Sequence, residues 1–513
     1  MKTRSLRVAG RLAALIVLLA GAAEAGQVSA LVANAGTTAS AEMSPLARRI
    51  DGMISKMQWG EGEVAALVSD ADSAAVLYER QSGKEMQPGA LMQLFTAAAA
   101  LDRLGPDYFF TTEFGYSGSI DPVQKTLAGS LVIRSAGDPS ISSQIMSQGR
   151  VVDLLDQWAD KVKGLKVRKI TGTIVADGRA FEDEPFAPGW AIDKIGAADL
   201  PTVTATNFNH NVFDFYWNAG KKQGKTATCR IFPDVGDYLR FSNHVTITKE
   251  ARVKPRVYKR VERGNLIAAG GELAAKTEAH DRAAIEEPGR FFGEALKRRL
   301  IENKIEVAGK PGSTMFLKAD ELPTQTLTVL DRHFSPPLAK LLEHMVAEDS
   351  TLDAEVILKT MGMRADGRPG NFASGVRALN VYIERTILMP QAPHKIFDGS
   401  GRSALDRLTA ANVIDLIRRA GNRPTGRIFE SLLPRPGEGV LAGRGLDSRA
   451  PVRAKTASDD GVEAIAGMID LGPGRRVLFV FIVNGSKAPV SVVRKQLDTL
   501  VMDLTHIGEA GRP

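Results

Sequence analysis

The stretch Pro88-Gly89-Ala90-Leu91-Met92-Gln93-Leu94-Phe95-Thr96-Ala97-Ala98-Ala99-Ala100-Leu101-Asp102-Arg103-Leu104-Gly105-Pro106 is the most informative in the chain. A Pro-Gly turn opens it, a strongly apolar helix follows, and Gly105-Pro106 stops that helix. Upstream, apolar residues recur at helical spacing over 46–57, and 63–78 alternates like a strand. Downstream, over 107–286, the texture changes to short strand-like runs (130–135, 170–176, 244–248) separated by Gly, Pro and Asp turns, with one helix-like stretch at 151–162. Helical periodicity returns at 291–300 and 337–361. Near the end, 461–471 and 476–484 are apolar strands joined by Gly472-Pro473-Gly474, which predicts a hairpin. Residues 452–456 form the strand leading into it, and a helix over 488–504 follows. This order describes an α/β core interrupted by strand-rich material.

The chain has 513 residues and a formal charge of +7. Its composition is that of an ordinary globular protein of roughly two to four domains. Lys2, Arg4, Arg7, Arg11 and Glu24 carry a net three of those charges, leaving about +4 elsewhere, too little to point to a nucleic-acid partner. The basic start, the apolar run 12–20 and Ala23-Glu24-Ala25 fit a cleaved secretory signal. The run is short for a membrane span, and no second stretch is long enough, so no stable membrane anchor is expected. Residues 1–25 therefore read as signal and 26–43, rich in Ala, Thr, Ser and Gly, as linker, with an exported, periplasmic product. The lone Cys229 excludes an internal disulfide and reads as a packed side chain.

Several generic motifs fail. The seven histidines show no pair at metal-ligand spacing, so neither a metal nor a cofactor is expected. The run 220–226 is one residue short of a phosphate loop. Gly437-Glu438-Gly439 lacks a third glycine at dinucleotide spacing, and Asp398-Gly399-Ser400-Gly401 lacks the frame of a nucleophile elbow.

An ordered set of short stretches nevertheless resembles one family. After 88–106 come Gly137-Asp138-Pro139, Val175-Ala176-Asp177, Pro188-Gly189-Trp190, Ala354-Glu355, Asp398-Gly399-Ser400-Gly401 with Leu408-Thr409-Ala410, Arg453-Ala454-Lys455-Thr456, and Gly467 leading to Val483-Asn484. In this order they resemble the D-alanyl-D-alanine carboxypeptidases/endopeptidases of the bacterial cell wall, the class C penicillin-binding proteins. The resemblance implies a penicillin-binding, β-lactamase-like α/β domain with an antiparallel sheet flanked by helices. Its first part would be 44–106, its second 287–513, with strand-rich insertion 107–286 between them.

The family's chemistry rests on Ser-x-x-Lys, Ser-x-Asn and Lys-Thr-Gly. In the first, serine and lysine lie on one helix face, so the amine can take the hydroxyl proton. Here the corresponding positions read Ala90 and Gln93, Asp349 and Thr351, and Lys455-Thr456-Ala457. Alanine offers no nucleophilic oxygen, glutamine is no base, and Ala457 adds a methyl where bare backbone is needed. None of the three motifs occurs anywhere else in the chain. Of the alternative hydroxyls, Ser350 would point differently on its helix, and Ser458 follows the third motif on the strand side.

The resemblance thus implies a catalytically silent wall protein that binds peptidoglycan stem peptide, or a wall-synthesis protein. Lys455 and Thr456 would be its ligand contacts, unless Asp349 instead pairs with Lys455 and neutralises it. Two other readings are an active serine carboxypeptidase with an unrecognised nucleophile and a structural protein whose insertion carries the partner surface.

Overall fold

The computed structural model describes residues 43–250, 254–258, 265–317, 322, 326–389 and 394–507. The expected signal, 1–25, and the linker, 26–43, lie outside these apart from Met43. A helix, Pro45–Lys56, begins the described chain.

The core sheet has five strands: β1 (Glu63–Asp70), β2 (Val76–Arg80), β3 (Val452–Asp459), β4 (Val462–Asp470) and β5 (Arg476–Asn484), ordered β3-β4-β5-β1-β2. All four pairings are antiparallel. β5 is apolar on both faces because the sheet is covered on both sides, and it is buried from Val477 to Val483. The single strand expected over 63–78 is two. Asp70 turns the chain by accepting the Ser73 N–H at 2.7 Å, an Asx turn that alternation alone does not reveal.

Helix α1 (Met92–Arg103) is buried from Met92 to Leu101 and packs among α2 (Leu338–Glu348), α3 (Thr351–Asp366) and α4 (Ala410–Gly421). Its alanines let these neighbours approach closely. The periodicity over 337–361 reads as one helix, but the structure breaks it at Asp349, whose φ of 56° is left-handed. Asp is among the few residues that adopt this conformation readily, and Ser350 then caps α3 by accepting the Asp353 N–H.

The inserted material has its own core. Strands Thr111–Asp121 and Thr126–Ser135 form a hairpin widened on both sides, and two three-stranded sheets follow. Helices Gln148–Gly164 and Pro288–Glu302 belong to this core through the ring series Phe114, Trp158, Phe292 and Phe208, with centroids 4.7, 5.7 and 4.6 Å apart. Strand Thr328–Phe334 pairs with Thr111–Asp121, so the inserted material runs well beyond the boundary expected at 286/287, although Phe181, Ala187, Trp190, Leu200, Val203 and Ala205 within it pack into the first core. Helical texture misplaced that boundary, because helix Pro288–Glu302 covers the insertion's sheet rather than the core's.

Cys229 is a half-buried free thiol whose pKa burial pushes up to about 12, as expected for packing rather than reactivity. Among the described residues no helix is long and apolar enough to cross a membrane.

A cluster of buried carboxyls pins the turn 398–406 to the core. Glu355 on α3 accepts the N–H groups of Gly399 and Ser400, each at 2.9 Å. Asp398 accepts from Trp190 Nε1 at 2.8 Å, and Thr96 on α1 donates to the Gly399 carbonyl at 2.7 Å. Burial, then the charge of Asp398, pushes Glu355 up to about 8, and the same two causes raise Asp406 well above the ordinary range. Raised carboxyls contribute stability that is complete below their unfolded values and lost as pH rises through the folded ones. The thermal unfolding midpoint should therefore fall between about pH 5 and about pH 8. Asp406→Asn, neutral at every pH, should flatten that fall; an equally steep profile in the variant would show that the cluster does not hold its protons.

Candidate active-site cleft

Gly89, Ala90 and Leu91 form a single 3-10 turn that feeds into α1. Gly89 has a φ of 52°, and a Cβ there would lie 2.9 Å from the Ala457 methyl. A Cβ on Gly401 would lie 1.8 Å from the Gly89 carbonyl oxygen, so both positions need glycine. Ala90 is buried beneath this contact.

The motif positions converge on one carboxylate. Asp349 Oδ1 accepts from Gln93 Nε2 and from Lys455 Nζ, each at 2.9 Å. Its Oδ2 accepts from Arg402 Nη2 at 3.1 Å. Lys455 is fully buried and also donates to the Val346 carbonyl at 3.1 Å. Burial lowers its pKa, while the charge of Asp349 opposes that shift. The ion pair expected between Asp349 and Lys455 is present, so Lys455 is not a free cation facing solvent. Thr456, next along β3, points to the opposite face and is also buried.

Arg402 was not singled out by sequence, although it directly follows the turn 398–401. Its Nε donates to Thr351 Oγ1 at 3.2 Å and its Nη1 to Asp459 Oδ2 at 3.3 Å, while Asp199 lies 3.9 Å away. Burial opposes its charge, but Asp349, Asp199 and Asp459 outweigh that and raise its pKa. With a side chain only 10% exposed, Arg402 ties the second-motif loop to the end of β3. The signal available in sequence was weak: one arginine after a tight turn, and acidic residues after Ala457.

The alternative hydroxyls are otherwise engaged. Ser350 Oγ caps α3. Ser458 Oγ bonds to Glu463 and Arg494. Thr351 Oγ1 accepts from Arg402.

An antiparallel five-stranded sheet with a buried alanine-rich helix against it, split by a long insertion, is the architecture of the penicillin-binding and β-lactamase-like proteins. The sequence profile of the D-Ala-D-Ala carboxypeptidase 3 (S13) family matches residues 46–504, and this chain belongs to that family. Among curated relatives, the D-alanyl-D-alanine carboxypeptidase of Actinomadura sp. (strain R39) is 28% identical over 447 residues, covering 84% of this chain and 79% of the relative. The D-alanyl-D-alanine carboxypeptidase DacB of Haemophilus influenzae is 24% identical over 432 residues, covering 82% and 85%. The crystal structure of penicillin binding protein 4 (dacB) from Haemophilus influenzae superposes with a TM-score of 0.72 at 22% identity, covering 89% of this chain and 99% of that one.

Removing the shared carboxylate leaves an ammonium buried and unpaired, which typically costs about 3–5 kcal/mol. Asp349→Ala should therefore destabilise the protein by roughly 3 kcal/mol in urea unfolding. Adding Lys455→Met should recover most of that loss. If the double variant is no more stable than the single one, the pair does not carry this energy.

Proposed function

We propose that this chain is a catalytically silent member of its family, a wall-associated protein that forms no acyl-enzyme and acts by engaging a partner protein of wall synthesis. The observation that carries this is the Asp349 carboxylate, bonded to Gln93, Lys455 and Arg402, in a cleft whose nucleophile position is the buried methyl of Ala90. Loss of the nucleophile alone costs on the order of 10⁶ in turnover in a serine hydrolase. Here the base position is an amide as well. The basic and apolar N-terminus, 1–25, supports export to the wall side of the membrane.

Lys455 and Thr456 are the family-type contacts for an anionic wall peptide. Such a peptide's carboxylate must displace Asp349 from Lys455 and open the bridge made by Arg402, which favours a protein partner over a stem peptide. Incubation with a fluorescent penicillin, followed by intact-mass measurement, should give neither label nor mass increase. A covalent adduct on any cleft side chain would refute the silent reading and support a hydrolase with a different nucleophile.

Ala90→Ser with Gln93→Lys should restore little labelling. Asp349 would pair with the new lysine, and the Ala457 methyl would still stand against the turn. Titration with a D-alanyl-D-alanine-ended peptide separates the two binding versions. No saturable binding at millimolar concentration is expected for the protein-partner version, and clear saturation would assign the cleft to wall peptide instead.

A further inference from the structure

Away from the Asp349 network, three chain segments bring two imidazoles onto one buried carboxylate. We infer that His210, His344 and Asp353 form a binding site for a first-row divalent metal ion of the zinc type, clamping the insertion to the helix pair that flanks the cleft. His210 comes from the insertion, His344 from α2, and Asp353 from the first turn of α3. His210 Nε2 lies 2.9 Å from Asp353 Oδ1, and His344 Nδ1 lies 2.7 Å from Oδ2. One ligating atom from each residue falls within 4.8 Å of the others. Asp353 is 0% exposed, His210 4% and His344 14%, so a carboxylate is held out of water where a cation most strongly offsets its charge.

The surroundings suit a ligand set. The other ring nitrogen of His210, Nδ1, lies 2.5 Å from Ser142 Oγ. With a proton on Nδ1 donated to that oxygen, Nε2 presents its lone pair toward Asp353, the arrangement that orients metal-bound histidines. The proton of His344 would then reside on Nε2, leaving Nδ1 free to coordinate.

His210 is also held in an unfavourable backbone conformation. Asn209, His210 and Asn211 have φ values of 49, 51 and 57°, three successive left-handed residues. Asn visits that region readily, but histidine pays for it, and such strain concentrates at ligand clamps. Asn211 Nδ2 donates to the Thr202 carbonyl at 2.8 Å and Asn209 Nδ2 to Asp214 at 2.8 Å, which fixes the turn with its imidazole facing α3.

Two nitrogens and one oxygen select zinc and its first-row neighbours over magnesium or calcium, which prefer all-oxygen sets. At zinc–ligand distances of about 2.0–2.1 Å, neighbouring donors stand about 3.3 Å apart in a tetrahedron. The hydrogen-bonded groups therefore need to separate by a few tenths of an ångström, and the ligand atoms that stand wider apart, within 4.8 Å, to close on the ion. The partial exposure of His344 leaves one side for a water ligand. This site does not rest on the proposed loss of catalysis.

The test uses the full chain without a polyhistidine tag, stripped with chelator. Calorimetric titration with zinc chloride should show one equivalent bound, and cobalt(II) should give the visible absorption bands of a low-symmetry four- or five-coordinate site. X-ray absorption of the zinc-loaded wild type should show two imidazole ligands and oxygen at about 2.0–2.1 Å. His344→Ala and His210→Asn, the latter chosen because Asn tolerates the left-handed turn, should each weaken binding by at least about tenfold. Failure to bind zinc at about 100 µM, well above the affinity of a usable site, would overturn the inference. So would an X-ray absorption spectrum without imidazole, or binding undiminished in both variants, and these readouts on the wild type decide the matter even where a variant fails to fold.

Discussion

A lysine ammonium taken out of water must find a counter-charge, and in this protein everything around the cleft is arranged to give Lys455 one. Asp349 supplies it from the break between two helices. The left-handed backbone at Asp349 follows from ending α2 there, and it aims the carboxylate at β3 rather than along the helix axis. Gln93 and Arg402 then complete the hydrogen bonding that one buried carboxylate requires. Helix α1, the second-motif loop, the turn 398–402 and the first core strand of the C-terminal group thereby share a single polar node. Groups that in the family's chemistry handle a substrate are here satisfied by one another.

Steric effects reinforce the electrostatics. Two small side chains stand at the head of α1. Ala90 offers only carbon, and Ala457 places a methyl against Gly89 where a bare backbone would leave room. The close seat of Gly401 on the Gly89 carbonyl holds the facing turn in place, and the buried Glu355 fixes that turn from behind.

The parts of the fold that were legible in sequence are those with uninterrupted periodicity. The apolar helix after Gly89 and the hairpin around Gly472-Pro473-Gly474 appear where their patterns place them. Features that depend on a single dihedral or on distant packing were not legible. Helical spacing runs straight through Asp349, so the break that shapes the cleft leaves no trace in the pattern. Helix Pro288–Glu302 looks like core helix because amphipathic spacing does not say which sheet it covers. Of the polar network, Asp349 and Lys455 were readable as opposite charges at motif positions, whereas Arg402 acquires its role only once the turn before it is folded. His210 and His344 belong to different segments and come together only through tertiary structure.

The pairing of β1 with β5 carries a consequence for how the chain is made. The strand Glu63–Asp70 emerges long before its partner Arg476–Asn484, which lies beyond the whole insertion. Until then β1 has only the short β2 beside it, and a two-stranded ribbon is marginal in water. Most of the stretch from Thr111 to Phe334 shares an aromatic core of its own, separate from the sheet that contains β1. A chain cut short before residue 476 leaves β1 with an unpaired edge, a template for association with other chains.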